Sequence, residues 1–332
     1  MAEMSKWERV EAAVQQEPTD RLPWALWRHF YDRETTAADL ARAMLEWQTR
    51  NDFDFLKVNP RAEYHAEVWG CRYRYSGQPN LKPSVEDVVI KSPADWARIE
   101  ARPPTSGPLE EQLRALSEIG RGLHGAVPFV ETVFTPLCIC TYLCGGDPLT
   151  LLSHLRSDPK AVHGALRAIT ETFVAFVQEI LNAGATGIFL ATGSVATREF
   201  LTDEEYAIFG RPYDLPVLAA AADARLNVLH VCRSQNMLRN LLDYPVHILN
   251  WAVTEEGNPS LGEIADTVKH RAVAGGLSNS ALTADDERQA LKEVAAAENQ
   301  ARDRGLILTG NCSIPINSSQ VVIDAIHRRV LA

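Results

Sequence analysis

The 332-residue chain is long enough to bury a full core without disulfides, and 46% hydrophobic with 23% charged residues is the balance of an ordinary compact protein. A formal net charge of −10, with no block of Lys or Arg, argues against nucleic acid and anionic membranes as partners and for a small-molecule substrate or a protein partner. No apolar run of roughly 18 or more residues reads as a membrane span, and residues 1–18 are charged with no apolar signal core, so the expected location is cytoplasmic.

Ser5, with Glu8 three residues on, has the pattern of a capping box, and Pro18 ends the helix that follows. Short apolar runs then alternate with amphipathic stretches. The runs read as strands are Pro23–Phe30, Asp54–Pro60, Phe129–Leu137, Ala185–Thr192, Asn227–Cys232, His247–Ala252, Arg271–Leu277 and Leu306–Cys312. Helical patterns cover Thr36–Arg50, Pro159–Ala183, Asp203–Ala224, Leu261–His270, Ala284–Arg304 and Ser318–Val330, with a shorter one at Ser234–Leu242. In the Pro159 helix, Val162, Ala165, Ile169, Phe173, Phe176 and Ile180 share one face.

Strand and helix in alternation argue for parallel pairing, and eight such units fit a closed (β/α)8 TIM barrel better than an open, doubly wound sheet. The expected fold is therefore α/β, a single TIM-barrel domain over residues 1–332 with an N-terminal helix and an insertion after the second strand. That insertion, residues 61–107, holds Pro79, Pro83, Pro93, Pro103 and Pro104 and a Tyr/Arg stretch at Cys71–Tyr75 suited to a small hairpin. Insertions at that end of a barrel form the wall or lid of a site.

Six cysteines are spread over the chain, and in a cytosolic protein such thiols are buried, catalytic or metal-binding more often than paired. His230 and Cys232 are two apart in an apolar strand, so both point the same way. Cys312 ends the last predicted strand. One imidazole and two thiolates make a three-ligand zinc set, and an open fourth position would make it catalytic. The competing reading is chance pairing of a core histidine with small core cysteines, which is the commoner origin of such a pattern; the placement of all three at strand ends adds modest weight to the metal and leaves both readings open. Cys138, Cys140 and Cys144 interleave with Ile139, Tyr142 and Leu143 and read as inert buried thiols. Polar residues on or just past the strands are candidates for the pocket wall: His29, Asn59, Glu131, Tyr142, Thr192, Asn250 and Asn311. Arg233, beside the metal set, is a candidate for binding an anionic group, with a solvated loop charge as the alternative.

Several motifs carry a resemblance. Glu8-Arg9-Val10, Asp20-Arg21-Leu22-Pro23, Thr135-Pro136, Tyr142, Gly145-Gly146 and Ala183-Gly184-Ala185 resemble the uroporphyrinogen decarboxylase superfamily along nearly the whole chain. The resemblance implies a (β/α)8 barrel. Within the superfamily, the true decarboxylases act without metal and carry two arginines in the first-strand motif. Here Arg28 is kept, in Arg28-His29-Phe30-Tyr31-Asp32, and the second position is Asp32. Their essential aspartate falls on Asn59, which cannot supply a carboxylate to a protonated pyrrole, and their C-terminal histidine region falls near Cys312.

The zinc-dependent methyltransferase branch, which moves methyl groups between a corrinoid protein and a thiol, has His-x-Cys and one distant Cys. His230, Cys232 and Cys312, the last 80 residues further on, match it in type and order. The resemblance therefore implies Zn2+ on these three residues, a methyl transfer to or from a thiol or small methylated compound, and a corrinoid supplied by a partner protein, since no Asp-x-His-x-x-Gly motif is present. Arg233 and Ser313 stand where the branch has glycine, and Asn250-Trp251-Ala252 where it has an acidic ligand. A metal-free carboxy-lyase acting on a small carboxylated substrate is the alternative enzyme, and a barrel that binds a tetrapyrrole or corrinoid protein without turnover the alternative outside catalysis. A homodimer is the default assembly.

Overall fold

The structure, a computed structural model, describes residues 2–331. Its strands are β1 (Leu56–Lys57), β2 (Arg72–Arg74), β3 (Ser84–Asp87), β4 (Phe129–Phe134), β5 (Gly187–Ala191), β6 (Val228–Val231), β7 (Ile248–Trp251), β8 (Ala272–Leu277) and β9 (Leu306–Gly310). Seven of them form one curled parallel sheet in the order β1-β4-β5-β6-β7-β8-β9, while β2 and β3 pair antiparallel outside it. The α/β reading of the sequence holds. Among the described residues no helix is long and apolar enough to cross a membrane.

The helices fill the connections: α1 (Lys6–Gln15), α2 (Ala37–Asn51), α3 (Tyr64–Glu67), α4 (Pro108–Leu123), α5 (Pro136–Leu143), α6 (Pro148–Ser157), α7 (Pro159–Asn182), α8 (Asp203–Phe209), α9 (Arg211–Ala219), α10 (Leu261–Ala265), α11 (Asn279–Leu282), α12 (Arg288–Ala301) and α13 (Gln320–Leu331). In α7 the Asp158 carboxylate accepts from Ala161 N, Pro159 sits in the first turn, and the six apolar residues of the predicted face are all buried. The helix is held by that stripe packing on the sheet rather than by propensity, since several of its residues are β-branched or aromatic.

The opening motif has a structural purpose. Arg9 donates to Asp20 (2.7 Å) and to Asp54 (2.7 Å), and Arg21 donates to Asp54 (2.8 Å). Asp54 is fully buried and also accepts from Trp24 N at 3.0 Å. The Arg9 guanidinium holds the Asp20 carboxyl well below the usual carboxylate range. This cluster ties α1 and the Trp24 segment to the start of β1.

Some expectations change. Pro23–Phe30 is not a full strand: it makes a single parallel bridge, Trp24 to Leu308. On one side Ala25 N donates to Leu308 O at 3.0 Å, and on the other Asp54 N donates to Trp24 O at 3.0 Å, so this segment spans the two edges of the sheet. After that the chain turns away, because Trp27 O accepts from Ile314 N and Trp47 buries itself under Leu26 O. The predicted helix 203–224 is two helices, broken at Gly210 with Pro212 in the first turn of the second, a position that suits proline; Pro216 lies inside that second helix. The strand from Phe129 ends at Phe134 for the same reason: Thr135 caps and Pro136 starts α5. Leu261–His270 keeps only five helical residues, and Ser234–Leu242 only a 3-10 turn at Leu238–Leu241. α4 and α6 were not among the predicted helices.

Candidate metal centre

The donors meet because all strands of the curled parallel sheet run the same way, so the C-terminal ends of β6 and β9, separated by β7 and β8, converge at one end of it. His230 lies in β6 with its side chain on the inner face, Cys232 follows β6 on that same face, and Cys312 follows β9. His230 Nε2 is 2.7 Å from Cys232 Sγ, and Cys232 Sγ is 3.5 Å from Cys312 Sγ. One ligand atom from each of the three lies within 4.8 Å of the others. Two sulfurs each about 2.3 Å from a tetrahedral ion stand roughly 3.8 Å apart, so the observed spacing suits a shared ion and is far beyond a disulfide.

The imidazole is oriented by Asn250. His230 Nδ1 meets Asn250 Oδ1 at 2.5 Å, while Asn250 Nδ2 donates to Ala274 O (3.1 Å) and Thr309 Oγ1 (3.0 Å). A carbonyl only accepts, so the bond to Ala274 O fixes which end of the amide faces the ring. Nδ1 therefore carries the hydrogen and Nε2 keeps its lone pair toward the sulfurs, as a ligating histidine requires. Thr192 adds to the frame: its N and Oγ1 donate to His230 O at 3.0 and 3.3 Å. The Cys232 S–H, with His230 and Lys57 behind it, pulls the Cys312 thiol down, while the bond to Cys312 and burial push Cys232 up.

Two connected cavities adjoin the trio. The inner one, about 300 Å³, has aromatic walls from Trp27, Phe134, Tyr142 and Phe189 and includes His29, Lys57 and Asn59. The outer one, about 770 Å³, opens to solvent between Arg233, Asn311, Glu199 and the β2–β3 hairpin. The hairpin expected in the 61–107 insertion exists, and its Tyr73 and Val85 form part of the outer wall.

Of the predicted pocket residues, His29 and Asn59 line the inner cavity, Tyr142 both, and Arg233 and Asn311 the outer one. His29 Nδ1 faces the Glu34 carboxylate at 3.0 Å. Asn311 is pinned to Thr254 Oγ1 at 2.6 Å, and Arg233 has a left-handed backbone (φ 68°) and lies over the Phe200 ring. Arg28, Glu131, Thr192 and Asn250 do not line either cavity. Arg28 donates to Ile316 O at 2.7 Å and covers Phe30 and Trp47, which makes it a clamp on the C-terminal loop. Glu131 alternates along β4 with Thr132 and Phe134, which face the inner cavity, so it stands on the opposite side of the sheet. There it is fully buried with neither carboxylate oxygen hydrogen-bonded, and burial pushes its pKa well above the usual range. Cys138, Cys140 and Cys144 are buried free thiols, with Cys138 and Cys144 pushed up to about 12 by burial. His65 spends both ring nitrogens on backbone, Nδ1 on Ala62 O and Nε2 on Phe134 N, and burial brings it down to about 3.

Two contributors escaped the sequence reading. Lys57 points into the inner cavity from β1, and a lysine inside Phe53–Val58, an otherwise largely apolar run, was the available signal. Gly193 lines both cavities with φ 56°, and a Cβ there would collide with Cys138 Sγ.

Comparison with known proteins places the chain. The family profile described as uroporphyrinogen decarboxylase (URO-D) matches residues 5–330. The chain belongs to the URO-D family. Among curated URO-D relatives, a methylcobamide:CoM methyltransferase of Methanosarcina acetivorans is 21% identical over 332 residues, 95% of this chain and 94% of that protein. A uroporphyrinogen decarboxylase of Mycobacterium sp. is 26% identical over 159 residues, 46% of this chain and 42% of that one. A solved methyltransferase from Methanosarcina mazei superposes with a TM-score of 0.76 at 17% identity, covering 99% of this chain and all of that one, and so shares the fold.

Proposed function

We propose that this URO-D family member is a zinc-dependent methyltransferase that moves a methyl group between a corrinoid and a thiol or small methylated substrate. The observation that carries the reading is the convergence of His230, Cys232 and Cys312, with Asn250 leaving His230 Nε2 free to ligate. The printed activity of the full-length relative, methylcobamide:CoM methyltransferase, agrees with it. We take the parallel sheet, closed through the Trp24 segment, as the predicted (β/α)8 barrel acting as one domain, with the trio at the strand ends where this fold carries its chemistry.

His230, Cys232 and Cys312 would hold the ion. Zinc bound there supplies the charge that keeps a substrate thiol as its thiolate near neutral pH. Around it the chain's own residues do the rest. The inner cavity is small and walled by Trp27, Phe134 and Phe189, so it orients a compact substrate and limits water. His29, with Nδ1 committed to Glu34, leaves Nε2 to accept the proton a thiol releases. The outer cavity opens to solvent with Arg233 and Asn311 among its lining, and a separate corrinoid protein would present its methyl group there.

Metal analysis of freshly purified protein tests the reading. About one zinc per chain, lost in His230→Ala and in Cys312→Ala, is the expected result. A chain that holds no metal, and takes up none under reducing conditions, would overturn it and return the metal-free carboxy-lyase.

A further inference from the structure

Lys57 is buried at 6% exposure, yet its Nζ has no carboxylate within 4.0 Å among the described residues. Its ammonium has three N–H groups, and the protein supplies one acceptor, Asn59 Oδ1. The aromatic faces of Phe189 (4.8 Å) and Trp27 (5.9 Å) partly offset the charge. Asn59 is itself 1% exposed. Its Oδ1 takes both Lys57 and Ser313 Oγ (3.2 Å), and because Lys57 can only donate, the amide cannot be turned round. That leaves Asn59 Nδ2 buried with no partner. An ammonium and an amide N–H, side by side and short of acceptors, line one small cavity with the metal-binding trio. Burying such donors unmet is unfavourable, so the geometry calls for an acceptor that arrives from outside.

We propose that Lys57 and Asn59 form an oxyanion subsite, which takes the carboxylate or sulfonate end of the small substrate whose other end reaches His230, Cys232 and Cys312. This deepens the methyltransferase reading and rests on it for the identity of the reacting end. The dimensions agree: Ser313, bonded to Asn59, directly follows Cys312, and Phe189 contacts Lys57 on one hand and stacks on His230 (5.2 Å) on the other. A cavity of about 300 Å³ has room for roughly ten waters, hence for a compound of a few carbons. Of the nearby acids, Glu34 is engaged by His29 Nδ1 and Phe30 N. Glu131 stands on the far face of β4, and Glu63 lies where the two cavities join, beside Lys82. Arg233 faces the outer cavity and leaves the inner anchor to Lys57.

The test separates the subsite from the metal. Chelator-treated protein is titrated calorimetrically with propionate and ethanesulfonate, which have no thiol, and with propanol as the uncharged control. Saturable binding of either anion and none of propanol is expected, weakened about tenfold or more by Lys57→Met, as loss of a charge-assisted contact implies. Asn59→Asp, which keeps the shape and gives Lys57 an internal counter-ion, should weaken it similarly, and a wild-type thermal melt for that variant rules out misfolding as the cause. In parallel, the cobalt(II)-loaded protein is titrated with 3-mercaptopropionate and 3-mercaptopropanol, read by the sulfur-to-cobalt absorption band. The anionic thiol should bind about tenfold tighter in wild type and no tighter in Lys57→Met. Anions that fail to bind the metal-free protein, or thiols bound equally with and without charge, overturn the subsite. Failure of cobalt to bind at all overturns the methyltransferase reading, while the calorimetry still decides the subsite by itself.

Discussion

Asn250 is the residue whose removal says most about the metal centre. Asn250→Ala deletes the acceptor for His230 Nδ1 (2.5 Å) and the donor to Ala274 O and Thr309 Oγ1 (3.1 and 3.0 Å) in a site with no solvent exposure. A buried donor left without a partner costs about 1–3 kcal/mol, so a loss of about 2 kcal/mol in folding stability is expected. The imidazole is then free to rotate and to move its proton to Nε2, and zinc affinity should fall about 10–100-fold. Competition against a chromophoric chelator measures the affinity, and urea unfolding of the metal-free protein measures the stability. Asn250→Asp keeps an acceptor toward Nδ1 but loses donation to Ala274 O and Thr309 Oγ1. It should therefore recover most of the zinc affinity while staying destabilised. If Asn250→Ala binds zinc within about twofold of wild type although it is destabilised, the residue only props the sheet and does not orient a ligand, and the argument fails.

Two further expectations concern the scaffold. Asp214 is fully buried, accepts from Tyr206 and Tyr244 hydroxyls (both 2.8 Å), and burial raises its pKa to about 7. An acid raised above its unfolded value contributes stability that is whole below about pH 4 and lost as pH climbs to 7, by up to about 4 kcal/mol. Asp214→Asn, which still accepts from both tyrosines, should flatten that part of the pH dependence in guanidinium unfolding, and parallel curves for the two proteins would count against it. At Gly193, with φ 56° and Cys138 Sγ in the way of a Cβ, Gly193→Ala should lower stability by about 1–3 kcal/mol in urea unfolding. Adding Cys138→Ala should return part of that loss, and no recovery would show that backbone strain alone is responsible.

The parts of this molecule that were legible in the sequence are those written as local patterns. The α7 stripe, the Ser5–Glu8 capping box and the pairing of His230 with Cys232 on one strand face depend on spacing alone, and all three stand in the structure. Cys312 required the order of the strands, which the alternation supplied. What was missed depends on tertiary placement that local spacing does not encode. Glu131 has the type and position of a pocket acid, and only its place in the β4 alternation, relative to Thr132, sends it to the wrong face. Arg28 has the charge of a substrate clamp, but its acceptor is Ile316 O, far along the chain. The Pro23–Phe30 run is apolar enough for a full strand, yet Trp27 and Trp47 need space that continued pairing would deny them. Lys57 was overlooked because an isolated charge in an apolar run resembles an edge-strand lysine until both faces of that strand are covered.

The clasp at Trp24 bears on the order in which a newly made chain acquires its shape. Pro23 O and Ala25 N find their partners on Leu308, which is synthesised long after them. Until then, the Trp24 segment can pair with the start of β1, but its other edge has nothing to pair with. Such end-to-end contacts are slow to form and leave strand edges exposed meanwhile. Truncation anywhere before Leu308 therefore strands an unclosed, adhesive sheet, and His230 and Cys232 would wait in it without Cys312.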